Sequence, residues 1–187
     1  MIQTQIGELI VGAYLRIIND CELVSYNQRS KEVGRQMEVD VLGVESTEGT
    51  QTVYACEVVT HIDGMNYNGT LETDKWQAYG NKTYQYTLQR IWEKFEEDYA
   101  LVNDVFDRAD EYTLQLWSPV VPRGLLTDGL DELQQKFEDD YGVQIDLVIN
   151  GEYSTRVTEL QERASETKKS YDEPAFRFLQ ILEHRRE

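Results

Sequence analysis

Three acidic residues that lie far apart in the sequence, Glu8, Asp40 and Glu57, are the side chains best suited to chemistry. Glu8 lies in a segment with a helical pattern, whereas Asp40 and Glu57 lie in two segments with strand patterns. A carboxylate in the middle of a sheet strand is costly unless it has a partner. Two such carboxylates on matching faces of paired strands require a cation between them or a raised pKa. Because hard oxygen ligands suit Mg²⁺, the pattern predicts a magnesium site, with Mn²⁺ as the alternative ion.

The element that carries Glu8 is predicted to be a helix over residues 2–18. Apolar side chains recur there at spacings of three and four residues, which is the helical period. These side chains are Ile6, Leu9, Ile10, Ala13 and Ile17. An ordinary solvated position on this helix would explain Glu8 equally well.

The strand that carries Asp40 is predicted over residues 36–44, after a short strand over residues 22–28. Polar and apolar residues alternate strictly there, and successive side chains of a strand point to opposite faces. The predicted apolar face contains Met37, Val39 and Val41, and the predicted polar face contains Gln36, Glu38 and Asp40. An exposed polar face would also explain Asp40, because Glu38 lies beside it.

The strand that carries Glu57 is predicted over residues 52–62, joined to the previous strand by a hairpin turn that ends at Gly49. It is rich in the β-branched and aromatic residues that favour strands. On this strand Glu57, Val59 and His61 share one face. The neighbours of Glu57 are apolar on both faces, so we expect a buried central strand in which a carboxylate needs a functional reason.

The rest of the chain alternates helices and strands after a predicted loop or partial lid over residues 63–81. The predicted elements are a helix over 83–108, a strand over 112–117, a helix over 124–141, a strand over 143–149, and helices over 151–168 and 174–185. This order predicts an α/β protein with a mixed central sheet that is flanked by helices on both faces. For a chain of 187 residues we expect one domain over 1–187, with a core over about 1–120 and a C-terminal extension over about 121–187.

The positions of the three acids on these elements resemble the PD-(D/E)xK superfamily of nucleases, in particular Holliday-junction-resolvase-like and restriction-like domains. The motif resemblance covers about residues 5–62, and the later α-β order continues it by topology. Members carry a Glu on a helix, an Asp on one central strand and Glu-x-Lys on the next, which match Glu8, Asp40 and Glu57. The resemblance implies a restriction-endonuclease-like fold with an αβββαβ core, extended here by αβαα elements. It also implies that these three acids bind the divalent metal ion.

The chain departs from the motif at one position, because the Lys of Glu-x-Lys is replaced by Val59. Some members of the superfamily place the basic residue on a neighbouring element. Lys94 on the long helix, His61 on the strand and Lys75 in the preceding loop are the candidates here. Each has an ordinary interpretation as well. Lys94 could pair with an acid of its own solvated helix face, namely Glu93, Glu97 or Asp98, and His61 could be a hydrogen-bonded residue at a strand end.

Two functions follow as expectations from the resemblance. In the first, the protein is a Mg²⁺-dependent nuclease that hydrolyses phosphodiester bonds in DNA, in defence or repair, and Lys94 or His61 orients or deprotonates the attacking water. In the second, the domain has lost this chemistry and binds nucleic acid or a protein partner without cutting. Because no DNA-reading motif stands out, we expect a nuclease of this kind to act as a homodimer or beside a partner subunit.

The composition bears on location and on DNA binding. There are 35 acidic and 18 basic residues, a formal net charge of −17, whereas most nucleic-acid binders have a basic surface. No apolar run approaches the roughly 18 residues of a membrane helix, and the N-terminal segment has no secretory pattern. Cys21 and Cys56 lack metal-ligand spacing and are expected to be buried free thiols. We therefore expect a cytoplasmic protein without a membrane partner.

Overall fold

The computed structural model describes residues 4–29, 38–61, 65 and 82–185. Ten elements follow one another in the order predicted from the sequence. They are α1 (Ile6–Ile17), β1 (Leu23–Arg29), β2 (Glu38–Thr47), β3 (Thr50–Val58), α2 (Lys82–Val105), β4 (Glu111–Ser118), α3 (Leu125–Tyr141), β5 (Ile145–Ile149), α4 (Asn150–Glu166) and α5 (Pro174–His184). The protein is therefore an α/β protein with five helices and five strands in its described part.

The five strands form one mixed sheet in the order β1-β2-β3-β4-β5. The first three strands are an antiparallel meander, and β4 and β5 each pair in parallel with the strand before them. The hairpin between β2 and β3 turns through Glu48 and Gly49, both with positive φ (54° and 89°). Two residues in this conformation make the tight turn that matches the twist of a hairpin. The parallel pairs instead need crossover helices, which are α2 and α3.

Helices cover both faces of the sheet and divide the core into two layers. One layer packs α2 and α3 on the sheet, with Leu88, Phe95, Leu130 and Phe137 completely buried. The other packs α1, α4 and α5 on the opposite face, around the buried ring of Trp117. Because the central strands β2, β3 and β4 are buried on both faces, their sequences are more apolar than that of a strand with one solvated face.

The C-terminal elements pack on the meander through α1 and β1. Tyr26 of β1 donates a hydrogen bond to Glu173 at the start of α5 (2.7 Å), and Arg16 of α1 lies 3.6 Å from the same carboxylate. Tyr26 also passes close to Gly12 of α1, where an added Cβ would lie 2.1 Å from the Tyr26 hydroxyl oxygen. The absence of a side chain at Gly12 therefore allows β1 and α1 to meet.

Two of the element ends that differ from the predictions concern the candidate residues. The first helix begins at Ile6 rather than at residue 2, since Gln5 is the N-cap residue with an extended backbone and Thr4 lies outside the helix. β3 ends at Val58 rather than at residue 62, so His61 does not share a strand face with Glu57 as predicted. The predicted loop over residues 63–81 lies outside the described residues, except for Met65.

The strict alternation predicted for β2 is wrong at Asp40. Val39 packs in the α2 layer and Val41 in the α1 layer, so these two side chains do not share a face. The irregularity coincides with Asn27 of β1, which has a φ of 52° and is missing from the otherwise continuous register between β1 and β2. A left-handed residue interrupts the extended conformation that alternation requires. Gln36 and Met37 lie outside the described residues.

Among the residues that the structure describes, none of the helices has the length and apolar character to cross a membrane.

Candidate active site

Asp40 and Glu57 lie where β2 and β3 separate. The last paired residues at this end of the hairpin are Val41 and Cys56, and Asp40 and Glu57 are the next residue on each strand. Asp40 Oδ2 accepts a hydrogen bond from the backbone N–H of Val58 at 2.9 Å. The Asp40 side chain thus takes the place of the backbone carbonyl that would accept this bond in a regular β-sheet. The structure therefore brings the two hairpin acids to one end of the sheet.

Lys94 of α2 reaches Glu57 from the helix layer that covers the sheet. Its Nζ lies 2.9 Å from Glu57 Oε1, and the exposed fractions of the two side chains are only 18% and 9%. The same ammonium donates a hydrogen bond to the carbonyl oxygen of Glu38 at the start of β2. Val59, which replaces the motif lysine, packs against the apolar core of the α2 layer. A lysine on α2 thus supplies the positive charge that Val59 cannot.

Asp98, one helical turn after Lys94, is a buried acid, so it does not belong to the solvated face that the ordinary interpretation of Lys94 requires. It is completely buried, and the Glu57 carboxyl group is the one described group that can share a hydrogen bond with its carboxylate oxygens. The sequence does indicate this burial, because Asp98 follows the helical spacing of the buried residues Ile91, Phe95 and Val102. An acidic residue at an otherwise apolar position of a helix indicates a buried charge.

Glu8 lies in the first turn of α1, and only 4% of it is exposed. Its Oε2 accepts hydrogen bonds from the backbone N–H of Gln5 and from Asn27 Nδ2, both at 3.0 Å. The first of these bonds caps the helix, and the second ties α1 to the irregular residue of β1. The negative charge of Glu8 contributes to raising the pKa of Asp40, so the two carboxylates lie close enough to interact. Asn27 was not recognised from the sequence, where nothing distinguishes it.

The approach of α1 to this end of the sheet depends on Gly7. A Cβ added at Gly7 would lie 2.4 Å from Thr60 Cγ2, two residues after the end of β3. A side chain there would therefore push the start of α1, and Glu8 with it, away from the ends of β2 and β3.

Burial and mutual repulsion raise the pKa values of the acids. Burial raises the pKa of Glu57 well above its ordinary value, Asp98 and Asp40 add to the effect, and Lys94 opposes it. Burial also raises the pKa of Asp98 to about 7, and that of Asp40, where the hydrogen bond from Val58 opposes the shift. Burial lowers the pKa of Lys94, but Glu57 and Asp98 outweigh it and the net shift is upward. One lysine therefore does not neutralise these acids, and a further cation or proton is needed.

The other two basic candidates are not brought to the acids in the described structure. His61 is exposed, lies three residues beyond the end of β3, and forms no hydrogen bond or ion pair with a described residue. Lys75 lies outside the described residues.

The chemistry of the acids fits a hard divalent cation. Glu8, Asp40 and Glu57 offer carboxylate oxygens, which are the ligands that Mg²⁺ and Mn²⁺ prefer. In the part of the chain that the structure describes, no group of three or more His, Cys, Asp or Glu side chains already has the arrangement to hold a metal ion. Glu57 is paired with Lys94, and Glu8 with two N–H donors. Binding a metal ion would therefore require these side chains to exchange partners.

A cavity described by the structure lies elsewhere on the protein. It measures about 680 Å³ and lies between β1 and the C-terminal end of α2, lined mainly by apolar residues such as Leu23, Leu42, Val105 and Phe106. None of the acids at the ends of β2 and β3 lines it. The basic residue of this lining, Arg29, is paired with Glu38, and most of the other lining residues are apolar, so we place the candidate site at the acids.

Comparisons with protein-family models, with curated proteins and with solved structures found no match. Function is therefore inferred from the residues of the site.

Proposed function

We propose that this protein is a metal-dependent nuclease of the PD-(D/E)xK type, on a restriction-endonuclease-like fold, and that it hydrolyses phosphodiester bonds in DNA. The observation that carries the proposal is the contact of Lys94 Nζ with Glu57 Oε1 beside Asp40. An Asp and a Glu on adjacent strands, with a lysine in contact with the Glu, are the chemical groups this activity needs. The order αβββαβ of the first six elements supports the same proposal.

Each residue has a role in this proposal. Asp40, Glu57 and Glu8 would hold Mg²⁺ or Mn²⁺, which supplies activation of a water molecule and stabilisation of charge on the phosphate. Lys94 would orient the attacking water or donate a hydrogen bond to the charge that develops on the phosphate. Its raised pKa keeps it in the charged form that these roles require. The backbone N–H of Val58 holds the Asp40 carboxylate in place.

The substrate and the setting belong to the same proposal. A net charge of −17 opposes binding of DNA by the protein as a whole, so contact with DNA would rely on local basic residues, on a second copy of the chain or on a partner subunit. Cys21 and Cys56 are buried free thiols, which suits a reducing cytoplasm. Defence and repair are the settings that the resemblance implies.

The test is cleavage of supercoiled plasmid, linear duplex, single-stranded DNA and RNA in Mg²⁺ or Mn²⁺. We expect cleavage by the wild-type protein in at least one DNA form, its loss on chelation, and its loss in Glu57→Gln and Asp40→Asn. Glu111→Gln, which removes an exposed acid at the start of β4, is the matched control and should cut normally. A wild-type protein that cuts none of these substrates with either metal would overturn the proposal.

A second candidate is a nuclease-fold module that binds nucleic acid or a protein partner without cutting. The observation that favours it is the pairing of Glu57 with Lys94 and of Glu8 with Gln5 and Asn27, which leaves these acids in no metal-ligating arrangement among the described residues. Measurable binding of labelled DNA together with absence of cleavage in either metal would support this candidate.

A further inference from the structure

Asp98 has no structural role that explains its burial. It lies on the buried face of α2 between Phe95 and Val102, where an apolar side chain would pack without penalty. Apart from the Glu57 carboxyl group, no described residue offers a hydrogen bond to its carboxylate oxygens, and no described ion pair includes it. Burying a carboxylate without donors is strongly unfavourable. A residue in this situation is expected to serve a ligand rather than the fold.

The Asp98 carboxylate is directed at the acids of the sheet. It is the largest charge that acts on Glu57, and the two carboxyl groups are close enough to share a hydrogen bond. Lys94 is four residues earlier on the same helix, so both side chains extend from one face of α2 toward Glu57. Among the described residues, one ammonium, that of Lys94, therefore faces the three acids Asp40, Glu57 and Asp98.

We propose that Asp98 is a metal ligand, and that it binds one divalent cation of the Mg²⁺ or Mn²⁺ class together with Glu57. No N–H group of a described residue holds the two Asp98 oxygens, so a cation would replace only the proton that Asp98 and Glu57 can share. The cation neutralises the charge that Lys94 leaves uncompensated. The metal site would then draw acids from the sheet and from α2, in addition to the acids the motif predicts. This inference rests on the proposed metal chemistry and adds a residue to it.

The test is calorimetric titration of the full chain, stripped of metal, with Mn²⁺. Asp98→Asn keeps the shape of the side chain and removes its charge, and we expect it to weaken Mn²⁺ binding by about 10- to 100-fold. Asp104→Asn makes the same change at an exposed position of α2 and should bind as the wild type does. Mn²⁺ should raise the melting temperature of the wild type and of Asp104→Asn but hardly change that of Asp98→Asn. Wild-type Mn²⁺ affinity in Asp98→Asn would overturn the proposal.

The shared ligand role of Asp98 and Glu57 has its own test. If both bind one ion, the double variant Asp98→Asn/Glu57→Gln should lose much less affinity than the sum of the two single losses. Additive losses would overturn the shared site. Asp98→Cys adds a readout if Asp98→Asn does not fold, because a thiolate prefers soft metals. It should bind Cd²⁺ more tightly than the wild type while losing Mn²⁺, and unchanged Cd²⁺ affinity would count against the role of Asp98.

Measurements of metal binding and of DNA cleavage together distinguish a failure of this inference from a failure of the proposed function. A wild-type protein that binds Mn²⁺ through Asp98 but cuts no nucleic acid would keep the inference and overturn the nuclease proposal. A protein that cuts DNA while Asp98→Asn binds Mn²⁺ normally would keep the nuclease proposal and overturn the inference.

Discussion

Lys94 shows how a side chain from one element can supply a charge that another element lacks. The strand position of the motif lysine holds Val59, whose backbone N–H pairs with Trp117 O at 2.9 Å and whose side chain packs in the core. Lys94 reaches the neighbouring Glu57 from the helix above. The sequence could nominate Lys94 but not choose it over His61 or Lys75, because the choice depends on how α2 lies across the sheet.

Replacing Lys94 tests whether it performs the role that the motif assigns to a lysine at position 59. Lys94→Met keeps the length of the aliphatic chain and removes the ammonium, and we expect cleavage to fall by about 10²- to 10³-fold. Adding Val59→Lys to Lys94→Met returns a lysine to the motif position and should restore part of the loss. Initial rates of plasmid cleavage provide the measurement.

Lys168→Met is the matched control for the lysine variants, since Lys168 is exposed on the chain after α4. It should cut at the wild-type rate. If Lys94→Met also cuts at that rate, Lys94 has no role in the reaction.

At the scale of the elements, hydrophobic periodicity was sufficient to predict the chain order of all ten elements. Ends were less predictable, because they depend on caps and close contacts, such as the Gln5 cap that starts α1 at Ile6. The faces of β2 were predicted incorrectly around Asp40, where the conformation of Asn27 on the neighbouring strand disturbs the alternation. The residue pattern of β2 contains no information about the backbone conformation of its neighbour β1.

The acids of the candidate site also differ in how far the sequence alone could predict their positions. Glu57 was conspicuous in the sequence because its neighbours on both strand faces are apolar, whereas Asp40 was nominated only by its place in the alternation of its strand. Asp98 was less visible, since α2 is rich in acidic residues and its buried face becomes certain only when the helix is packed. The hydrogen bonds of Glu8 to Asn27 and Gln5 depend on tertiary contact, so the sequence could place Glu8 but not its partners.

The contact of α1 with β1 yields a prediction about helix packing. Gly12→Ala places a methyl group where the Tyr26 hydroxyl and ring now lie, so Tyr26 must move and its hydrogen bond to Glu173 is lost. We expect the free energy of unfolding to fall by about 1–3 kcal/mol. Urea denaturation followed by circular dichroism measures this change.

Gly151→Ala is the control for that substitution. An added Cβ at Gly151, in the first turn of α4, meets no atom within 4 Å. Alanine favours helices over glycine, so stability should stay the same or rise by up to about 1 kcal/mol. Equal effects of the two alanine substitutions would show that the close contact at Gly12 does not matter.

For the whole molecule, the buried acids predict a stability that depends on pH when no divalent cation is present. The pKa of Asp98 rises from 3.8 to about 7 on folding, mainly because of burial. A carboxyl group with a raised folded-state pKa gives stability that is fully present below about pH 4 and is lost as the pH rises through about 7. We expect Asp98→Asn to lose less stability than the wild type over this interval, and to be the more stable of the two at pH 8.

Urea denaturation at several pH values in the presence of a chelator measures this difference. Asp104→Asn should follow the wild-type curve, since that residue is exposed. Parallel curves for the wild type and Asp98→Asn would mean that Asp98 does not take up a proton on folding.

The left-handed conformation of Asn27 also affects how one molecule meets another. In the described sheet β1 is an edge strand, and an unbroken edge offers a row of N–H and C=O groups to a strand from a second molecule. Asn27, with its φ of 52°, interrupts that row toward the end of β1. The residue that holds Glu8 in place would thereby also limit aggregation, and variants of Asn27 should be screened for solubility before their activity is compared.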